Sequence, residues 1–284
     1  MIIRRKKNGL AKLIIFCFVL YILSSFRKIQ FGLEPVQRRE KFLNEEEYLQ
    51  VNESENVLTH RNGHSPGEMG EPYKIDMTDN KNKVRVDAGW SRHAYNEYVS
   101  DLISVERSLP DLRDNLCKAH DRLLPTLPQA GVIVCFHNEG YSSLLRTVHS
   151  ILNRSPQELL KEIILVDDAS DLKHLKTDLE SYMSKHPNVK IVRAQERVGL
   201  IRARLIGASK ASGPVLIFLD SHIECTPGWM EPLLDRIARN STFVVCPVID
   251  AIDKETFEYK VNKYLVVGGF DWNLQFNWHR VPEH

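Results

Sequence analysis

Pro214-Val215-Leu216-Ile217-Phe218-Leu219-Asp220-Ser221-His222-Ile223-Glu224-Cys225 is the stretch whose reading decides the fold. Val215 to Leu219 is an unbroken β-favouring apolar run, the pattern of a strand buried on both faces of a parallel sheet. Asp220, Ser221 and His222 stand at its carboxyl end, where ligand crevices open in α/β sheets. In extended chain, residues two apart point the same way, so Asp220 and His222 can offer an oxygen and a nitrogen to one cation. The same triplet can also be purely structural, with Asp220 capping a turn and His222 hydrogen-bonded at the sheet rim. Its surroundings have to decide.

Outward from this strand the pattern alternates. Gly131 to Phe136, Glu162 to Val166 and Val189 to Arg193 read as strands. Ser142 to Leu152, Leu172 to Lys185, Gly199 to Lys210 and Trp229 to Arg239 read as helices, the second capped by Ser170 or Asp171. Strands alternating with helices imply right-handed βαβ crossovers, so the expected class is α/β, Rossmann-like, with a mostly parallel sheet. Ala94 to Val105 adds a short helix ahead of it.

Polar residues collect at the same strand ends: Cys135 to Glu139, Asp167 and Asp168, Arg197, and Asp220 to His222. Acidic groups beside an arginine and a metal-capable triplet suit a nucleotide diphosphate, whose oxygens take both a cation and a guanidinium fork. Singly, each strand-end Asp is better explained by helix capping, and only their co-location points to a site. No Gly-x-Gly-x-x-Gly or Gly-x4-Gly-Lys-Ser/Thr follows a strand, which argues against dinucleotide dehydrogenases and P-loop enzymes.

The whole chain sets outer bounds. Its 284 residues are 43% hydrophobic, enough for one substantial domain plus non-globular segments. Thirty-eight basic residues balance 37 acidic ones, and no basic stripe interleaves with aromatics, so nucleic acid is not an expected partner. The five cysteines show no zinc-type spacing.

Arg4 to Lys7 precede an uncharged run, Leu13 to Phe26, closed by Arg27 and Lys28. Read from Gly9, with Lys12 reaching to the interface, the run spans roughly 27 Å as a helix, near the thickness of an early-secretory bilayer. The excess of Lys and Arg before it predicts a cytoplasmic tail (1–12), a signal-anchor (13–26) and a lumenal remainder, which is single-pass type II topology. A cleaved signal peptide is the competing reading, disfavoured because no Ala-x-Ala-like site follows. Residues 27–85 lose periodicity and read as a disordered stem, with an N-glycosylation acceptor at Asn52. Residues 86–284 are left for the folded domain.

The ordered set Phe136-His137-Asn138-Glu139, Leu144-Leu145-Arg146-Thr147-Val148, Glu162 to Asp168, Gly199 to Arg204, Phe218 to His222, Val245 to Asp250 and Gly268 to Trp272 resembles the polypeptide N-acetylgalactosaminyltransferases. These are type II Golgi membrane enzymes with a GT-A nucleotide-sugar-binding domain. The resemblance implies retaining transfer of N-acetylgalactosamine from UDP-GalNAc to Ser or Thr of an acceptor protein, with Mn2+. It implies Asp220 and His222 as metal ligands, contact of Ser221 and Asp168 with the UDP-sugar, and Cys135 and Arg197 lining the nucleotide pocket. Val198, Ile223 and Cys135 depart from the residues usual there. The family's third metal ligand and its Trp-Gly-Gly-Glu-Asn segment follow the Gly-Gly-Phe-Asp-Trp region, and neither His279 nor His284 stands in that context. The expectation is an incomplete catalytic domain that binds nucleotide but transfers sugar poorly, or a non-catalytic Golgi relative with a binding or regulatory role.

Two further expectations concern the C-terminal part. Phe270, Trp272, Leu274, Phe276 and Trp278 share one parity, as in a strand with a very apolar face. The resemblance also pairs Cys117 with a cysteine beyond this sequence.

Overall fold

The apolar run Val215–Leu219 is one of four parallel strands in a computed structural model that describes residues 2–4, 65–118, 122–262 and 266–281. In chain order the main sheet contains β1 (Ile2–Arg4), β2 (Ala130–Phe136), β3 (Leu160–Asp167), β4 (Val189–Arg193) and β5 (Val215–Leu219), arranged β1-β5-β2-β3-β4. β2, β3, β4 and β5 run parallel, and β1 lies antiparallel on the outer edge of β5. Because β3 and β4 build outward on one side of β2 while β5 returns to its other side, the strand order reverses at β2. A crevice opens at such a switch point.

The helices follow as α1 (Asn80–His93), α2 (Glu97–Leu102), the single turn α3 (Asn115–Lys118), α4 (Tyr141–Arg154), α5 (Thr177–Met183), α6 (Leu200–Lys210) and α7 (Glu231–Arg239). Strand alternation sorts the core into two layers. Val132 and Val134 of β2, with Ile163, Leu165, Val215 and Ile217, pack against Leu144, Val148 and Ile151 of α4, Leu179 of α5 and Leu234 of α7. Ile133 and Cys135, with Ile164, Val166 and Leu216, face Ala203 and Ala208 of α6. α6 comes this close because Gly207 has no side chain: a Cβ there would lie 2.5 Å from Ile133 Cγ2.

The ordered domain begins earlier than residue 86. α1 starts at Asn80, within the stretch read as stem, with Asp79 accepting from the Lys81 N–H at 2.9 Å. Its inward residues are Arg85, Val86 and Gly89, so an apolar period does not reveal it. Upstream, the Tyr73 N–H donates to Thr256 at 2.9 Å, and Arg107 donates to the Gly67 carbonyl at 3.2 Å. The rest of the stem, Asn52 and residues 13–26 lie outside the described residues. No helix among the described residues is long and apolar enough to cross a membrane.

The region from 172 to 185 is not one helix. Lys173–Leu175 forms a 3-10 turn, Lys176 breaks the run at φ −98° and ψ −114°, and α5 follows. Of the expected caps, Ser170 is engaged elsewhere, its Oγ accepting from the Asn138 N–H. Arg193 draws the carbonyls of Leu175 and Lys176 toward β4 at 3.0 and 3.2 Å.

The C-terminal alternation is likewise a hairpin rather than one strand. After the small pair β6 (Ala251–Ile252) and β7 (Tyr259–Lys260), β8 (Val266–Phe270) runs antiparallel to β9 (Phe276–Arg280). Asp271 Oδ1 accepts from the N–H groups of Asn273 and Gln275, both at 2.9 Å, which closes a side-chain-driven turn. Phe270 and Phe276 meet edge to face across the strands, 5.7 Å between centroids, while Trp272 and Leu274 stand out in solvent.

The position of β1 also departs from the topology read from the N-terminal charges. Ile2–Arg4 on β5 and a membrane span at 13–26 with the sheet on the opposite side exclude each other, since the tail would lie across the bilayer from the strand it pairs with.

Candidate functional site

The segment after β5 is held by the inward face of α4. Thr147 Oγ1 lies 3.0 and 2.8 Å from the carbonyls of Ser221 and Ile223, and accepts from the Ile223 N–H at 3.0 Å. One helical turn on, Ser150 Oγ accepts from the Cys225 N–H at 3.0 Å. Arg154, a further turn along, donates to the Cys225 carbonyl. Polar residues at this spacing on the buried face of an otherwise apolar helix are the signal that the strand-by-strand reading passed over.

This cradle presents Asp220 and His222 to solvent, each side chain 58% exposed. Asp220 Oδ1 lies 3.4 Å from Arg204 of α6. His222 Nδ1 is 2.8 Å from Glu139 Oε2, and Ser221 Oγ donates to the same oxygen at 2.7 Å. The other oxygen, Oε1, accepts from the Gly140 N–H at 3.0 Å and the Tyr95 hydroxyl at 3.3 Å. Burial pushes the Glu139 carboxyl up, but the His222 hydrogen bond and charge, Ser221 and the Gly140 N–H outweigh it and hold the group at about 2. Conversely the Glu139 hydrogen bond raises His222 above its ordinary value against the effect of burial, with the charges of Glu139 and Asp220 adding to it. Tyr95 is raised by burial and by the Glu139 charge, so its hydroxyl stays protonated and donates.

Asp168 and Arg197 are brought together directly. Asp168 is buried, and its Oδ2 accepts from Arg197 Nη1 at 2.8 Å and from the Gly199 N–H at 2.9 Å. Its Oδ1 accepts from the Val198 N–H at 2.7 Å. The carboxylate thus fixes the loop entering α6, where Gly199 adopts φ 83°, a left-handed value natural to glycine. Cys135 is buried in the layer facing α6, and burial pushes its thiol up to about 12, so it is a neutral, weakly polar side chain. Asp220 and Arg204 are near enough for their charges to act on it.

The expected site residues therefore fall into two groups, Ser221 and His222 on Glu139, and Asp168 with Arg197, with Cys135 buried nearby, while Asp220 stands apart on Arg204. Glu139, legible in sequence only as a strand-end residue, is the member that joins Ser221 and His222. Beside His222 a cavity of about 240 Å³ is lined by Tyr95, Arg146, Glu224, Asp253 and Phe257 among others.

The two proposed metal donors suit a cation that accepts mixed oxygen and nitrogen ligands. With Nδ1 committed to a carboxylate, His222 has Nε2 as its remaining ring nitrogen, and the exposed Asp220 carboxylate follows two residues before it. Among the described residues no third His, Cys, Asp or Glu completes a metal-binding group. The remaining positions would fall to phosphate oxygens and water.

Residues 131–280 match the glycosyl transferase family 2 profile. The chain is 55% identical over 222 residues to polypeptide N-acetylgalactosaminyltransferase 5 of Caenorhabditis elegans, covering 76% of this chain and 35% of that protein. It is 52% identical over 217 residues to polypeptide N-acetylgalactosaminyltransferase 10 of Homo sapiens, with 76% and 35% covered. Among solved structures, GalNAc-T7 crystallised with UDP, GalNAc and Mn2+ superposes with a TM-score of 0.71 at 38% identity, covering 78% of this chain and 42% of that one. The chain spans about a third of the length of the curated relatives it matches. With more than half of its residues under the family profile and an α/β sheet of the same architecture, the chain belongs to glycosyl transferase family 2.

Proposed function

We propose that this chain forms the nucleotide-sugar-binding part of an enzyme that transfers N-acetylgalactosamine from UDP-GalNAc to Ser or Thr of proteins, with manganese. The observation that carries the reading is the Asp220-Ser221-His222 segment at the carboxyl end of β5, presented to solvent by Thr147 and oriented through Glu139. The relatives' names and the ligands of the GalNAc-T7 structure supply the substrate class.

Asp220 and His222 would hold the manganese ion, which when bound neutralises charge on the departing diphosphate. Arg197, turned slightly, can fork onto a phosphate oxygen, and Asp168 keeps the α6 entry loop fixed while it does so. Ser221 donates its O–H to Glu139, so toward a ligand its hydroxyl oxygen is an acceptor. Cys135 offers an uncharged wall.

Calorimetric titration of the full chain with UDP, in manganese and in chelator, tests the reading. The expected result is binding that needs manganese and loses that need in Asp220→Ala. Equal affinity in both buffers from folded protein would sink the assignment. A second reading is nucleotide binding without transfer. Sugar release onto a Ser/Thr peptide, measured on the same preparation, separates the two.

We further propose a Golgi-membrane location through residues 13–26, with residues 86–284 lumenal. That arrangement requires Ile2–Arg4 to leave the edge of β5. Carbonate extraction of microsomes is the test, with retention in the pellet expected and full release against it.

A further inference from the structure

We propose that Glu139 is a positioning residue for His222, setting which ring nitrogen carries the proton and so which one can bind a cation; this rests on the metal reading given above. A carboxylate oxygen only accepts, so the 2.8 Å contact from Nδ1 to Glu139 Oε2 places the imidazole proton on Nδ1. In the neutral ring, the form a cation binds, Nε2 then carries the lone pair and is the atom free to coordinate.

The geometry makes Glu139 unusually well fixed for this task. It is buried, and four donors converge on its two oxygens from three parts of the chain. The Gly140 N–H comes from its own turn, the Tyr95 hydroxyl from the segment joining α1 to α2, and Ser221 and His222 from the loop after β5. Gly140 is part of the arrangement, because a Cβ there would lie 2.1 Å from the Tyr95 hydroxyl oxygen. A carboxylate gripped at both oxygens cannot swing, so the ring it holds keeps one plane and one tautomer. A second partner on the non-coordinating nitrogen is the usual means by which a histidine ligand is oriented and made more basic.

A purely structural role predicts something different. If Glu139 only tied β2 to the β5 loop, an isosteric amide would change stability and leave cation affinity alone. Glu139→Gln cannot satisfy all four donors: its NH2 must face either the Gly140 N–H or the pair formed by Ser221 and His222. In the second case it donates to Nδ1 and drives the ring proton to Nε2, the coordinating position.

The experiment uses the full chain and manganese alone. Free Mn2+ is followed by its paramagnetic resonance signal for wild type and Glu139→Gln, with thermal melts on both, and imidazole-15N NMR reports the His222 tautomer, assigned with His222→Asn. The expected results are the Nδ1–H tautomer in the metal-free wild type and affinity about 10- to 100-fold weaker in the variant. Equal affinity in wild type and folded variant overturns this inference and spares the metal reading. Should the wild type bind no manganese alone, the titration is repeated with UDP present, and absence of binding there overturns the metal reading and this inference with it. Should the variant not fold, the wild-type spectrum decides: a proton on Nε2 in place of Nδ1 refutes the proposal.

Discussion

Arg107 and Glu224 meet fork to fork inside the protein, with contacts of 2.8, 3.0 and 3.1 Å between side chains 117 residues apart in sequence. Both are sealed from water, at 0% and 3% side-chain exposure. The same guanidinium donates to the Gly67 and Phe257 carbonyls, so one charge pair joins the N-terminal segment, the β6–β7 turn and the loop two residues past His222. Removing one partner strands the other in a dry site. Glu224→Ala should cost about 3–5 kcal/mol, whereas the paired change Arg107→Met with Glu224→Leu should cost far less. Urea melts of the three proteins measure this, and a Glu224→Ala loss below about 1 kcal/mol would contradict it.

Thr147→Val keeps the shape of the side chain and deletes its hydroxyl. The Ile223 N–H loses its acceptor, and the Ser221 and Ile223 carbonyls lose their contact. A stability loss of about 1–3 kcal/mol is expected, together with weaker manganese-dependent UDP binding because the segment bearing His222 is no longer pinned. A variant with unchanged melting and unchanged UDP affinity would show that α4 does not hold the site.

Glu162 gives the acid dependence of the sheet. Burial raises its carboxyl, but Lys190 at 2.8 Å and the hydroxyl and N–H of Ser212 more than reverse this, to about 2. The group is more acidic folded than unfolded, so between about 4.5 and about 2 the unfolded chain binds the extra proton. Its contribution is present above the upper value and lost as pH falls through the lower one. Glu162→Gln should therefore be less stable than wild type at pH 7, with the gap closing toward pH 2. Denaturation across that range checks it, and a gap that widens on acidification would reverse the sign argued here.

Trp272 and Leu274 project from the β8–β9 turn into solvent. Replacing both with Ser should leave stability within about 0.5 kcal/mol and reduce self-association of the chain. Sedimentation velocity of the two proteins decides, and a large loss of stability would mean that the turn packs against something.

Legibility in the sequence followed the kind of force at work. The four parallel strands and most helices were readable because apolar side chains fill both faces of the sheet, and Val215 to Leu219 declares this without help from neighbours. Asp220, His222, Asp168 and Arg197 were readable as strand-end residues. What was missed depends on single polar contacts: α1 packs through Arg85 onto the Tyr98 hydroxyl, the break at Lys176 answers to Arg193, and the β8–β9 turn closes on one Asp271 oxygen. None of these leaves a period in the sequence. Glu139 shows no role in the sequence, since its partners lie 44, 82 and 83 residues away.

The return of β5 to the far side of β2 also sets an order of events. β2, β3 and β4 are neighbours both in sequence and in space, whereas the contacts of Glu139 with Ser221 and His222 must wait until the fourth parallel strand has docked. An ion held by Asp220 and His222 would therefore bind only the finished sheet and would stabilise it by mass action. Amide exchange would register this unevenly, slowing most in β5 and the loop after it and least in β4, so that the cation acts as a latch on the strand that returns across the sheet.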